Sequence, residues 1–394
     1  MIHILKQSWH VARISVLSLR RRLASSLSVA VTMAFVVLVL LAALALDAGF
    51  KRTLSANGSD QVLVAMRTGS SSELGSSVSR EQVHLLTAMP GIAGAGGDAA
   101  ASPEVIVIVD GRTRDGSKKA NVALRGVGPH ASEMRGTLSI VAGRMFHPGS
   151  NELIAGLKLQ EAFQGFDVGS TVRLRGAAWK VVGSFSDGGG TTESELWADI
   201  DAIQTLRGQG STVNSVRLRM RDADVAAAFK SRVKADKGLD IAVQTEREYL
   251  THQAELSNDL INQVGKPIAL LMALGALAGA LCAMYGSVSD RRGELAMFRV
   301  LGYGRTSIFM GIVVESLFLA LIGTLIGCSI AQFVFTGMST SLTGANFSSI
   351  VFSLNLTSAE YATAATWAAV IGLLGGLLPA LAAAGKPLVT LLHA

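Results

Sequence analysis

The stretch Ser289–Gly327, SDRRGELAMFRVLGYGRTSIFMGIVVESLFLALIGTLIG, decides how this chain is built. It opens on charge, continues with a helical rhythm, stops at Gly302-Tyr303-Gly304 and then enters a long apolar run. A bilayer core of about 30 Å is crossed by roughly 20 helical residues. Leu23–Leu46, Pro267–Val288, Ile308–Phe335 and Tyr361–Ala384 all meet that length almost without charge. The sequence therefore predicts a membrane α-helical protein with four transmembrane helices, at 23–46, 267–288, 308–335 and 361–384. Residues 289–307 become a short charged helix between the second and third spans.

Composition agrees. Charged residues are 16% of the 394, against about a quarter in soluble domains. Their placement sets a topology. Lys6, Arg13, Arg20, Arg21 and Arg22 precede the first span, Arg291, Arg292, Arg299 and Arg305 lie between the second and third, and Lys386 follows the fourth. The segment Thr336–Glu360 has no Lys or Arg. The positive-inside rule then places both termini and 289–307 in the cytoplasm, with 47–266 and the loop 336–360 outside. Region 47–266 holds as many acidic as basic residues, so no nucleic-acid partner is expected. The cysteines, Cys282 and Cys328, fall inside spans, which leaves the outer region without disulfides. The 23–46 run exceeds the roughly 7–15 apolar residues of a signal peptide, so it is expected to remain as an anchor.

The flanks and the outer region have their own patterns. Residues 1–22 space Ile4, Trp9, Val11, Ile14, Leu17 and Leu19 between basic groups, which predicts an amphipathic helix on the inner membrane face. In the outer region, QVLVAM (Gln61–Met66), EVIVIVD (Glu104–Asp110), VNSVRLRM (Val213–Met220) and DIAVQT (Asp240–Thr245) read as strands. Ser79–Met89 and Asp222–Gly238 read as capped helices. This is an α+β domain of ferredoxin-like βαβ halves. A β-rich insertion occupies 121–206, with strands NVALRGV, STVRLRG and WKVVGSF. Residues 246–263 keep helical spacing up to Pro267, which could kink them, and 47–57 prolong the first span. Both predict stalk helices. Residues 385–394 form a tail.

No phosphate loop, zinc-protease helix, Cys/His metal cluster or nucleophile elbow is present in these residues. The expectation is a non-enzymatic subunit with no cofactor or metal of its own. His84, His130 and His147 read as surface or locally hydrogen-bonded groups. Glu315, inside the third span, is costly there and is expected to be a structural anchor paired with a basic residue such as Arg299. Gly275-x-x-x-Gly279, Gly323-x-x-x-Gly327 and Gly372-x-x-x-Gly376 each permit close helix approach, within one chain or between two. Leu295, Phe298 and Leu301 recur at every third position and predict one apolar ridge on the short helix, stopped by Gly302 and Gly304.

Arg291, Arg292, Glu294, Leu295, Phe298, Arg299, Leu301 and Gly302, followed by Glu315, Gly323 and Gly327, closely resemble the permease domain of the FtsX, LolC/LolE and MacB group of ABC transporters. GRMFHPGSNELIAGLKLQEAFQGFDVGSTVRL, with Gly143-Arg144, Asn151-Glu152 and Val168-Gly169, resembles the periplasmic core domain of MacB-like proteins. GLLGGLLPALAAAGKPLVTLL, with Leu378-Pro379-Ala380, resembles the closing span. Lys386 stands alone where relatives often carry several basic residues. The resemblance implies a four-span mechanotransmitter. Two permease copies would pair in the bilayer, each taking a separate ABC ATPase that binds ATP and Mg, as in DevC or LolC/LolE, with residues 291–302 as the coupling site. Export or efflux with a periplasmic adaptor is the expected task. Lipoprotein release and regulation of a periplasmic cell-wall hydrolase are the alternatives, and the substrate is not legible.

Overall fold

The structure is a computed structural model that describes residues 7, 9–11, 13–15, 17, 19, 23–56, 58–94, 99–208, 212–236, 238–260, 266–290, 292–343 and 348–385. It separates into a helical unit (1–48, 261–338 and 354–394) and a sheet domain (49–260 with 339–353). The expected class, four membrane-length helices and a large α+β domain, is what forms.

Helix α1 is continuous from Leu23 to Ser55. Strand β1 (Val62–Arg67) and helix α2 (Arg80–Ala88) follow. Ser79 starts α2 with a capping box: its hydroxyl accepts from the Gln82 amide while Gln82 accepts from the Ser79 amide. Next come β2 (Ala101–Thr113), β3 (Lys119–Val127), α3 (Ala131–Met134), β4 (Leu138–Gly143), β5 (Glu152–Gly156), α4 (Leu157–Ala162), β6 (Phe163–Gln164), β7 (Thr171–Leu174), β8 (Ala177–Asp187), β9 (Glu195–Asp199) and α5 (Ile200–Arg207). The second βαβ half is β10 (Ser215–Arg219), α6 (Ala223–Ala235) and β11 (Ile241–Thr245), with Asp222 capping α6 at the Val225 amide. Helix α7 (Glu246–Leu260) closes this part of the chain.

The order β11-β1-β10-β2, antiparallel at every step, is the ferredoxin-like arrangement. The expected insertion does not form a sheet of its own. β3 continues the hairpin from β2, and β9, β5, β8 and β4 extend the same sheet to eleven strands, counting β6 and β7 at its side. One core runs beneath both parts, from Leu63, Val216 and Leu218 to Leu153, Phe163, Trp179 and Leu196.

The helical unit contains α8 (Lys266–Asp290), α9 (Arg292–Val300), α10 (Arg305–Phe335) and α11 (Ser358–Gly385). Four stretches, Ser26–Leu54, Leu270–Asp290, Arg305–Phe335 and Ser358–Ala384, are long and apolar enough to cross a membrane. Val29, Met284, Val288, Leu295, Ile308, Ile312 and Ala380 pack into a shared cluster at one end, and Val37, Leu41, Ala331, Ala364 and Ala368 into another. Leu321, Leu325, Phe333, Trp367 and Leu378 remain exposed, as lipid-facing side chains are.

The segment 336–360 is not a plain loop. Strands β12 (Ser339–Thr343) and β13 (Ser349–Ser353) pair antiparallel within it, and 339–353 belong to the sheet domain. Val351 joins the main core, Phe352 packs edge-on against Phe50, and the Val351 amide donates to the Ser194 hydroxyl at 2.9 Å. Short β-branched and aromatic stretches after a span carry too little periodicity to announce themselves.

In the expected N-terminal helix, Gln7, Trp9–Val11, Arg13–Ser15 and Leu17 are helical, with Val11 and Ser15 buried and Trp9 and Leu17 exposed. Leu19 is described too, half-buried against the cluster of Val29 and Met284; the other residues of 1–22, the 261–265 part of the second stalk, Arg291, the side chain of Arg292 and the tail 386–394 lie outside the described residues.

Candidate functional site

Helix α9 lies between two membrane-length helices, and its ends are fixed by its sequence. Glu294 sits in the first turn and Arg299 in the last, each opposite in sign to the helix end it faces. The stop is a Schellman motif. The Tyr303 amide donates to the Phe298 carbonyl at 3.0 Å and the Gly302 amide to that of Arg299 at 3.2 Å. Gly302 takes φ +89, a left-handed value that suits glycine. The rings of Phe298 and Tyr303 meet edge to face at 5.6 Å, the apolar contact that accompanies this stop.

The expected ridge is divided. Leu295 is buried and Phe298 is half-buried, both against the cluster built by α8 and α10. Leu301 is 66% exposed, and its exposed apolar companions are Met297 at 56% and Val300 at 63%. The spacing of three misjudged the face. A period of 3.6 rotates Leu301 away from Leu295, and the chain leaves the helix at that residue. Leu295 and Phe298 hold α9 to its own unit. Met297, Val300 and Leu301 form the free apolar surface.

The glycine pairs also separate. A Cβ at Gly323 would meet Met33 Cβ at 2.5 Å, and one at Gly327 would meet the Ala34 carbonyl at 2.7 Å. A Cβ at Gly372 would meet Ala320 Cβ at 2.6 Å, and one at Gly376 would collide with Ser316. These two pairs are explained by packing within the chain. Gly275 has nothing within 4 Å, and Gly279 has ordinary contact with Thr32. Glu315 is buried in α10 beside Ser316.

The sheet domain holds a second arrangement that sequence reading missed. Arg125 on β3, Arg217 on β10 and Arg135 after α3 converge with Glu73, Glu104 on β2, Glu195 on β9 and Glu246 on α7. Arg125 donates to Glu104 and to Glu195 at 2.7 Å and to Glu73 at 3.1 Å. Arg217 donates to Glu104 at 3.0 Å, and to Glu73 and Glu246 at 3.3 Å. Arg135 reaches Glu104 at 3.2 Å and stacks over Trp197. Burial pushes the Glu73 and Glu104 carboxyls up, but the surrounding guanidiniums outweigh it and hold both below their ordinary value. For Glu246 burial wins over Arg217 and Arg135, and its carboxyl is pushed up. A cavity of about 620 Å³ opens beside the network, lined among others by Ser59, Arg135, Arg217, Glu246, Tyr249 and Gln253. VNSVRLRM and NVALRGV place Arg217 and Arg125 in alternating strands, where a charge ordinarily marks a solvent face.

The remaining candidates are local. His130 pairs with Glu133 at 2.9 Å and His147 with Glu152 at 3.0 Å, both partly exposed. No cluster of three or more metal-ligating side chains occurs among the described residues.

Comparison with known proteins follows this division. Residues 23–236 match the MacB-like periplasmic core domain and residues 268–388 the FtsX-like permease C-terminal region. The macrolide export ATP-binding/permease protein MacB of Rhodopseudomonas palustris (strain HaA2) is 22% identical over 288 residues, 68% of this chain and 42% of that protein. The chain thus spans about two fifths of that relative's length. The periplasmic region of MacB from Actinobacillus actinomycetemcomitans superposes with a TM-score of 0.38 at 15% identity, over 48% of this chain and 91% of that one. The extracellular domain of the noncanonic ABC-type transporter YknZ from Gram-positive bacteria does so with a TM-score of 0.36 at 16% identity, over 47% of this chain and 100% of that one. The first family match alone covers more than half of the chain, and with the second it makes this multi-pass membrane protein a member of the MacB/FtsX-type group of ABC-transporter permeases.

Proposed function

We propose that the chain is the permease subunit of an ABC transporter whose ATP and Mg are bound by a separate ATPase chain, and that α9 is where that ATPase docks. The observation that carries this reading is the exposed apolar surface of Met297, Val300 and Leu301 on a helix anchored by Leu295 and Phe298 and stopped at Gly302. A short helix fixed by Leu295, Phe298 and the Gly302 stop moves with its neighbours, so a push on its outer face is not lost in local bending. The reading places α9 and both termini in the cytoplasm and the sheet domain in the periplasm. ATP-driven closure would then reach that domain through α1 and α7. Two permease copies would pair in the bacterial inner membrane. A periplasmic adaptor and export from the periplasm or outer leaflet complete the proposal, supported by the resemblance to a macrolide exporter.

Burying one such side chain is worth about 2 kcal/mol, roughly 30-fold in affinity. In co-purification from cells expressing the chain and its ATPase, Met297→Asp with Leu301→Asp should abolish recovery of the ATPase while the permease remains folded. Undiminished recovery contradicts the docking assignment.

A further inference from the structure

The buried network has an odd charge. Three guanidiniums, Arg125, Arg135 and Arg217, face four carboxylates, Glu73, Glu104, Glu195 and Glu246, and the most exposed of the seven side chains is Glu195 at 12%. Arginine does not give up its proton, so the imbalance falls on a carboxylate. Glu104 is met by all three arginines, Glu73 by two arginines and the Ser215 hydroxyl, and Glu195 by two bonds from Arg125 and one from the Trp197 indole. Glu246 has the weakest set. Arg217 Nη1 donates to it at 3.3 Å and the Ser59 amide at 3.4 Å.

Those two contacts give Glu246 its position. Ser59 lies just past the end of α1, and Glu246 is the first residue of α7. The Arg247 amide returns a bond to the Ser59 carbonyl at 3.3 Å. One carboxyl therefore ties the exit of α1 and the entry of α7 to β10. The other groups facing it are fixed: Arg135 attracts it and Glu104 repels it across the network. On its own helix, Arg247 is engaged by Asp60 at 2.9 Å and Glu248 by Lys230 at 2.6 Å. The cavity beside it is lined also by exposed Asp60 and Gln61, which gives protons a route.

We propose that Glu246 is a proton-controlled pin: neutral, it completes a charge-balanced network that holds α1 and α7 to β10; ionised, it leaves one uncompensated buried negative charge and loosens that junction. The direction follows from burial, which raises the Glu246 carboxyl above its unfolded value. Its contribution is complete below the ordinary carboxylate value and is lost as pH rises through the raised one. Glu73 behaves oppositely, since its stabilisation is lost as pH falls through its depressed value. A permease built this way senses the pH of the compartment bathing its sheet domain, whichever ATPase it takes.

Hydrogen exchange on the full chain in lipid nanodiscs, corrected for intrinsic rates, tests this between about pH 5 and pH 8. In the wild type, protection of 58–62 and 246–250 should fall by up to about tenfold per pH unit between the ordinary carboxylate value and the raised Glu246 value, and level off above it. Glu246→Gln should keep its protection throughout, and Glu248→Gln should retain the wild-type dependence. Flat wild-type protection overturns the proposal, and that profile decides even where a variant fails to fold. A Glu246→Gln profile that follows the wild type, or a Glu248→Gln profile that is flat, overturns it as well.

Discussion

Arg125 is the residue on which the sheet domain depends most sharply. Its side chain is 3% exposed and donates to three carboxylates drawn from β2, β9 and the turn at Glu73. Removing the guanidinium while leaving the carboxylates buried costs about 3–5 kcal/mol. Arg125→Met should therefore lower the thermal transition of the sheet domain strongly, whereas Lys230→Met, at a half-exposed pair, should leave it nearly unchanged. Near-equal transitions would show that the network contributes little to stability. This residue was also the hardest to read in sequence. The alternation in NVALRGV located the strand, but a lone arginine in a strand carries no sign of whether water or three carboxylates will face it. Its partners are 52, 21 and 70 residues away in the chain. Gly302 was legible for the opposite reason. A glycine directly after a helical rhythm has one common use, and the structure gives it that use.

At the scale of elements, the apolar runs and the capped helices announced themselves because each carries its own period, cap or length. Register and neighbours did not. The insertion strands were visible, but their merger with the ferredoxin-like strands rests on β3 pairing with β9 in parallel, a contact that no local pattern encodes. The β12–β13 pair was missed because SIVFS is too short to show alternation. Helix packing gives a discriminating prediction. Gly323→Val forces a side chain into a gap of 2.5 Å to Met33, while Gly275→Val enters open space in the same chain. Overpacking costs about 1–3 kcal/mol. Gly323→Val should destabilise the helical unit in detergent, as read by thermal unfolding, and Gly275→Val should not. If Gly275→Val proves equally damaging, its open face is covered by something other than the described helices of this chain.

For the whole molecule, the division of labour follows from what each part can bury. The helical unit is apolar outward, and among the described residues its short helix α9 keeps Met297, Val300 and Leu301 exposed. The sheet domain is built over one main core and holds three arginines and four glutamates in a buried network. On the proposed function, motion would enter at α9 and reach the sheet domain along the chain through α1 and α7. The central claim is that the chain transmits energy it does not itself release. ATP hydrolysis measured in nanodiscs tests this most directly, first with the purified chain alone and then with the ATPase that co-purifies with it. The account predicts no hydrolysis by the chain alone, hydrolysis once the ATPase is added, and loss of permease-dependent stimulation with Met297→Asp and Leu301→Asp. Hydrolysis by the purified chain, or stimulation unchanged by those substitutions, would contradict it.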